Sequence, residues 1–73
     1  MSKYPEIKVK LVGEDGNAFA IMGRVSDGLR KGLKKRGMTS EQINEEISAF
    51  RKEATSGDYN KLLCTCMDWV NVR

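Results

Sequence analysis

The first part of the chain alternates apolar and charged side chains, whereas most of the rest repeats apolar residues at helical spacing. Residues 7–11 place Lys8 and Lys10 between three aliphatic side chains, which is the period-2 pattern of a half-buried strand. We therefore predict a strand over residues 7–11, with both lysines in water. Their charge also suits a sheet edge, where it discourages unwanted pairing.

The segment after this strand admits two interpretations. Residues 13–16 have the composition of a turn. In the first interpretation, Asn17 caps a helix whose apolar positions recur as far as Leu33, with Gly37 just beyond its end. In the second, residues 17–22 form a strand hairpinned to the first. The well-placed cap and two alanines, which are poor strand residues, favour the helix.

A capping box marks the start of the next helix, with Thr39 as the N-cap and Gln42 as the third helical residue. Asp58 is placed to cap a third helix. Residues 69–72 alternate again, which predicts a short closing strand. We expect it to pair with residues 7–12, because a lone strand has no other partner for its backbone groups.

The predicted fold class is α/β, in the α+β sense: one small domain over residues 1–73, ordered strand–helix–helix–helix–strand, with a two-stranded sheet packed on the helices. Phe19, Phe50 and Trp69 are expected in its core, and residues 1–5 are expected to be flexible. A chain of 73 residues builds only a small core, which favours a binding protein over an enzyme with its own catalytic pocket.

The sequence contains few side chains suited to catalysis or to metal binding. The chain has no histidine, so the usual general base and the catalytic triads are absent. Cys64 and Cys66 are two residues apart, which does not suit a metal site, and we interpret them as thiols of a reducing compartment, one of them in the core. We predict no catalytic residue, no metal site and no cofactor. The lack of a long apolar run or of a signal-peptide segment predicts a cytoplasmic protein with no membrane partner.

Glycines before the first helix raise the question of phosphate binding. Gly13 and Gly16 precede a helix N-terminus, where free N–H groups favour anions. Their spacing matches neither of the glycine-rich nucleotide-binding motifs, and Glu14 and Asp15 would repel a phosphate. A structural turn is the preferred interpretation.

The net charge of +3 is unevenly distributed along the chain. Residues 1–37 hold nine Lys or Arg against four Asp or Glu, and residues 38–73 hold four against six. The predicted binding surface is the basic face of the first helix, which comprises Arg24, Arg30, Lys31, Lys34 and Lys35. A solvated helix end whose cations match the helix dipole is the alternative. Glu41, Glu45 and Glu46 form either a solvated acidic face or a docking edge for a basic partner.

Two glycines of the same helix, Gly28 and Gly32, form a predicted close-approach strip. Each costs about 1 kcal/mol relative to alanine, so their presence calls for a compensating contact. The strip either packs internally, on the chain's own sheet or third helix, or seats a second copy or a partner protein.

Residues 9–30 read VKLVGEDGNAFAIMGRVSDGLR, and in this stretch the chain resembles a family of small accessory proteins of phages and prophages. The shared pattern is a lysine-bearing strand, a D-G-N-A-F turn into a helix and a basic G-R-V-x-x-x-L-R segment. It comprises Asp15, Gly16, Asn17, Ala18, Phe19, Gly23, Arg24, Val25, Leu29 and Arg30. Residues 56–72 are similar to the same family's ending. The resemblance implies an origin on mobile DNA and a protein that acts stoichiometrically, by occupying a host enzyme, a defence protein or a defence signal.

We therefore expect a non-enzymatic accessory protein in the host cytoplasm that binds a host macromolecule, most simply a host protein, with a defence component among the candidates. The alternative is a small basic regulator that binds nucleic acid through the same cations together with Lys8 and Lys10. A homodimer is a further alternative, because the core is small.

Overall fold

A computed structural model describes residues 2–11 and 16–73 of the chain. It confirms a small α+β domain in which a two-stranded sheet packs on three helices. The elements, in chain order, are β1 Tyr4–Val9, α1 Ala18–Lys35, α2 Ser40–Ala54, α3 Tyr59–Trp69 and β2 Val70–Val72. The glycine turn predicted at residues 13–16 lies largely outside the described residues, so its interpretation stays a prediction.

Strand β1 begins three residues before and ends two residues before the strand predicted over residues 7–11. Tyr4 extends it because the tyrosine ring is buried, with its centroid 6.3 Å from that of Trp69. An irregularity in the strand pairing between Tyr4 and Lys8 allows both Tyr4 and Ile7 to face the core, although they are three residues apart. Residues 2–5 lie against α3 and β2, and their predicted flexibility stays a prediction.

Strand β2 pairs with β1 in parallel, so the first and last elements of the chain form one sheet. Trp69, which was predicted to begin this strand, is instead the last residue of α3. The centroid of its indole ring lies 5.8 Å from that of the Phe50 ring, and its Nε1–H donates to a Glu53 carboxylate oxygen at 3.1 Å. These contacts hold the indole on the helix side of the junction, and the strand begins with Val70.

Helix boundaries follow the predicted caps. The Asn17 side chain accepts from the Phe19 N–H at 2.8 Å, which shows that residues 18–22 are helical and not a hairpin strand. Thr39 and Gln42 form both hydrogen bonds of the capping box, and Asp58 caps α3. After α1 the backbone turns at Gly37 with φ of 85°, a conformation that glycine adopts without steric cost.

Phe50 and Trp69 lie in the core as predicted, but the prediction for Phe19 is wrong, because its side chain is 82% exposed. The buried side of α1 runs from Ile21 through Leu29 and Leu33 in steps of one or two turns. Phe19 lies two residues before Ile21, which rotates it about 200° around the helix from that side. No helix among the described residues is long and apolar enough to span a membrane.

Candidate binding groove

The cations of α1 line different openings on the two sides of the predicted basic face. Arg30 and Lys34 line a cavity of about 370 Å³ beside the start of α2. Lys31 and Lys35 line a different opening, beside β1. The division follows from helix geometry, because successive residues are rotated by about 100° and a step from 30 to 31 therefore changes flank.

A shallow basic groove runs between β1 and α1, and we call it the β1–α1 groove. Two adjoining openings of about 340 and 260 Å³ form it, and they share Lys8, Gly28 and Lys31. Its cations come from both elements and from the residues directly after them, and are Lys8, Lys10, Arg24, Lys31, Lys35 and Arg36. The structure therefore brings the predicted site residues Arg24, Lys31 and Lys35 together with Lys8 of β1 and with Lys10 just after it. The other two predicted residues, Arg30 and Lys34, line the cavity beside α2.

Gly28 and Gly32 form the floor of this groove where β1 crosses α1. A methyl group placed on Gly32 would lie 2.5 Å from Ile7 Cγ1, and one on Gly28 would lie 2.8 Å from Val9 Cγ2. Both distances are well below van der Waals contact. Of the two interpretations of the close-approach strip, the internal one is therefore observed: the glycines admit the chain's own strand. Gly23, by contrast, has open space around its Cα, and nothing in the structure explains it.

The electrostatics of the β1–α1 groove are dominated by exposed cations. Among the described residues, two acids also line it: Asp27 pairs with Lys31 at 3.1 Å, and Glu6 pairs with Arg36 at the same distance. Within residues 2–11 and 16–73, no ion pair engages the remaining strand and helix lysines of the groove, Lys8, Lys10 and Lys35. The described residues of the groove thus carry an excess of positive charge.

A second surface was missed by sequence reasoning because it depends on an exposed aromatic residue. Phe19 and Tyr59 border an apolar depression of about 350 Å³ together with Met22 and Leu62. The Tyr59 hydroxyl donates to the Gly16 carbonyl oxygen at 2.6 Å, which links the start of α3 to the segment before α1. The helical period of residues 18–33 could have located Phe19 off the buried side, because Ile21 and Val25 define that side more consistently.

The acidic residues of α2 do not form one solvated face. Glu41 and Glu45 are exposed, but Glu46 accepts a short hydrogen bond from the Tyr4 hydroxyl and another from Lys3 Nζ at 3.2 Å. The hydrogen bond from Tyr4, followed by the effect of Lys3, lowers the pKa of Glu46. Burial, together with the Glu46 carboxylate, raises the pKa of Tyr4 to about 12. Glu46 is therefore a structural partner of β1.

The two thiols occupy different environments, as predicted. Cys66 is buried and Cys64 is exposed. Burial raises the pKa of the Cys66 thiol to about 11, which leaves it protonated at neutral pH. In the part of the chain that the structure describes, no three His, Cys, Asp or Glu side chains lie close enough to hold a metal ion.

No family model matches the chain, and no curated protein or solved structure matches it. The chemistry of the described side chains therefore has to indicate the function. Cations from a strand and a helix border one open groove, and they can make charge-assisted hydrogen bonds to carboxylates or phosphates. Such a groove is suited to binding an extended anionic surface.

Proposed function

We propose that this protein is a non-enzymatic accessory protein of phage type that binds a host macromolecule stoichiometrically in the cytoplasm of the host cell. The partner is a host protein with an acidic surface, and a defence component is a candidate. The single observation that supports this proposal is the β1–α1 groove, where cations from two separate elements border one surface. The resemblance of residues 9–30 to phage accessory proteins supports the class.

Charge at this groove favours association with an acidic protein in two ways. Complementary charges steer the encounter of two proteins and raise the association rate. They also select against basic partners, since like charges placed opposite each other cost free energy. Lys8, Lys10 and Lys35 have no ion pair within the described residues, so a partner's carboxylates need not displace an existing acid from them.

Nucleic acid is the second candidate partner, because the same groove offers lysines on two sides to a phosphate backbone. Single-stranded nucleic acids usually also stack bases on aromatic side chains. The described residues that line the groove include no aromatic ring, which ranks this candidate below an acidic protein. Phosphate binding would weaken steeply with added salt through the release of counterions.

The two flanks of α1 supply a matched pair of variants for the test. Lys31→Glu with Lys35→Glu reverses charge in the β1–α1 groove, and Arg30→Glu with Lys34→Glu makes the same change of net charge on the α2 side. All four positions are exposed, so both double variants should fold. Circular dichroism and thermal unfolding confirm that each variant is folded before binding is measured.

Tagged wild-type protein and both variants are used to capture partners from host lysate, with and without nuclease and at two salt concentrations. We expect a discrete host protein that survives nuclease and is lost only with the Lys31/Lys35 variant. Titration of the purified pair should then give a fixed stoichiometry. Equal capture by both variants would show that the β1–α1 groove is not the binding surface. Recovery of nucleic acid alone, lost at high salt, would favour the second candidate.

A further inference from the structure

β1 pairs with β2 along one of its two edges. The backbone groups on the opposite edge form no hydrogen bond within the sheet that the structure describes. On the first edge, Val9 C=O accepts from the Arg73 N–H at 2.8 Å, and the Leu11 N–H donates to Arg73 C=O at 2.7 Å. Successive residues of an extended strand direct their backbone groups to opposite edges. The N–H and C=O groups of Lys8 and Lys10 therefore point away from β2. Among the described residues the sheet contains only β1 and β2, so no third strand covers this edge.

This edge borders the β1–α1 groove. The smaller of its two openings is lined by three consecutive residues, Lys8, Val9 and Lys10, on the strand side, and by Arg24 and Lys31 among the residues of α1. An extended chain lying along the strand would thus have backbone hydrogen-bonding groups on one side and cations on the other. An open strand edge and a basic helix flank thus lie side by side in this groove.

We propose that the β1–α1 groove binds an extended acidic peptide segment of its protein partner, which pairs with the free edge of β1 as a third strand. The inference rests on the proposed function and names the partner's chemistry. Backbone hydrogen bonds to β1 supply affinity that is independent of the peptide's side chains, as in other cases of strand addition. Carboxylates on the peptide reach Lys8 of β1 and Lys10 just after it, or Lys31 and Lys35 on the helix, and these contacts supply the selectivity.

The same lysines exclude a second copy of the chain from this edge. Pairing β1 with another β1 would bring Lys8 and Lys10 of both copies together, and like charges on neighbouring strands are destabilising. Lysines on an edge strand are a common protection against such self-pairing. The same lysines attract an acidic strand. This edge of β1 therefore disfavours pairing with a second copy of the chain and favours pairing with an oppositely charged segment.

The test uses the whole protein, labelled for NMR, and an acetylated and amidated hexapeptide of alternating glutamate and threonine. The matched control is the same peptide with lysine in place of glutamate. Amide–water exchange rates of Lys8 and Lys10 report the edge directly, because these N–H groups face away from β2. We expect the acidic peptide to slow both rates about tenfold when roughly nine-tenths of the edges are occupied, and the basic peptide to leave them unchanged.

Other outcomes would overturn the inference and separate it from the proposed function. The peptide could change the NMR chemical shifts of Lys31 and Lys35 without slowing amide exchange at Lys8 and Lys10. That result would mean that the peptide contacts side chains only: strand pairing would be wrong, and the groove would remain the binding surface. No binding of the acidic peptide would also overturn strand pairing, and the lysate capture with the two double variants would then decide the proposed function alone. Exchange that slows with protein concentration in the absence of peptide would identify a second copy as the occupant.

Discussion

Gly32→Ala is expected to destabilise the protein relative to Gly23→Ala, although both changes replace a glycine of the same helix. Alanine is favoured over glycine in a helix interior by about 1 kcal/mol, and this gain applies to both positions. Gly23 has nothing within 4 Å of the added methyl group, so Gly23→Ala should stabilise by about 1 kcal/mol. It serves as the control.

At Gly32 the added methyl group would lie 2.5 Å from Ile7 Cγ1 and 2.6 Å from Ile7 Cδ1. These distances are more than about 1 Å short of the optimal carbon–carbon separation. Ile7 is 5% exposed, so its side chain cannot turn into solvent without leaving the core. Overpacking of this kind costs about 1–3 kcal/mol, which cancels or exceeds the helical gain. The two variants should therefore differ in unfolding free energy by about 1–3 kcal/mol.

Thermal unfolding followed by circular dichroism measures this difference, because 1 kcal/mol shifts the Tm of a domain of this size by about 4–8 °C. Ile7→Val removes the Cδ1 methyl group and should cost less in the Gly32→Ala background than in the wild type, which a double-mutant cycle detects. If Gly32→Ala raised the Tm as much as Gly23→Ala, the close packing of β1 on α1 would be refuted.

Three further predictions concern individual side chains. Phe50→Ala should destabilise by about 3–5 kcal/mol because Phe50 is fully buried, whereas Phe19→Ala should change the urea midpoint little because its ring is exposed; equal losses would contradict the assigned core. Tyr4 has its pKa raised from 10.0 to about 12, so it contributes stability below pH 10 that is lost as the pH rises towards 12. Tyr4→Phe should remove this alkaline loss from a curve of stability against pH, and an unchanged curve would refute the assignment. A thiol reagent should modify Cys64 in the folded protein and Cys66 only after denaturation; rapid modification of both thiols in the folded state would contradict the burial of Cys66.

Helix boundaries were predictable from the sequence because their causes are local. Asn17, Asp58 and the pair Thr39 and Gln42 act on backbone groups two or three residues away, so the caps can be identified without knowing the fold. The boundary of β1 was not predictable in this way. Tyr4 belongs to the strand because it meets residues of α2 and α3, and those contacts exist only after the chain has folded.

The candidate site was predictable as a set of residues but not as a surface. Cations at 31 and 35 were identified from the charge distribution, yet their association with Lys8 depends on which strand crosses Gly28 and Gly32. Periodicity along one helix carries no information about its neighbour. For the same reason the sequence left internal and intermolecular packing of the glycines both open.

The parallel pairing of β1 with β2 has a consequence for synthesis on the ribosome. Among the described elements, β1 is translated before the three helices and β2 after them, so the sheet cannot close until residue 72 has left the exit tunnel. The helices rest on local hydrogen bonds and can form earlier, whereas strand pairing must close a long loop and is intrinsically slow. During that interval β1, whose Tyr4, Ile7 and Val9 side chains belong to the core, is an unpaired segment of a nascent chain. Lys8 within β1 and Lys10 just after it then act as gatekeepers that keep the waiting strand from joining those of neighbouring nascent chains.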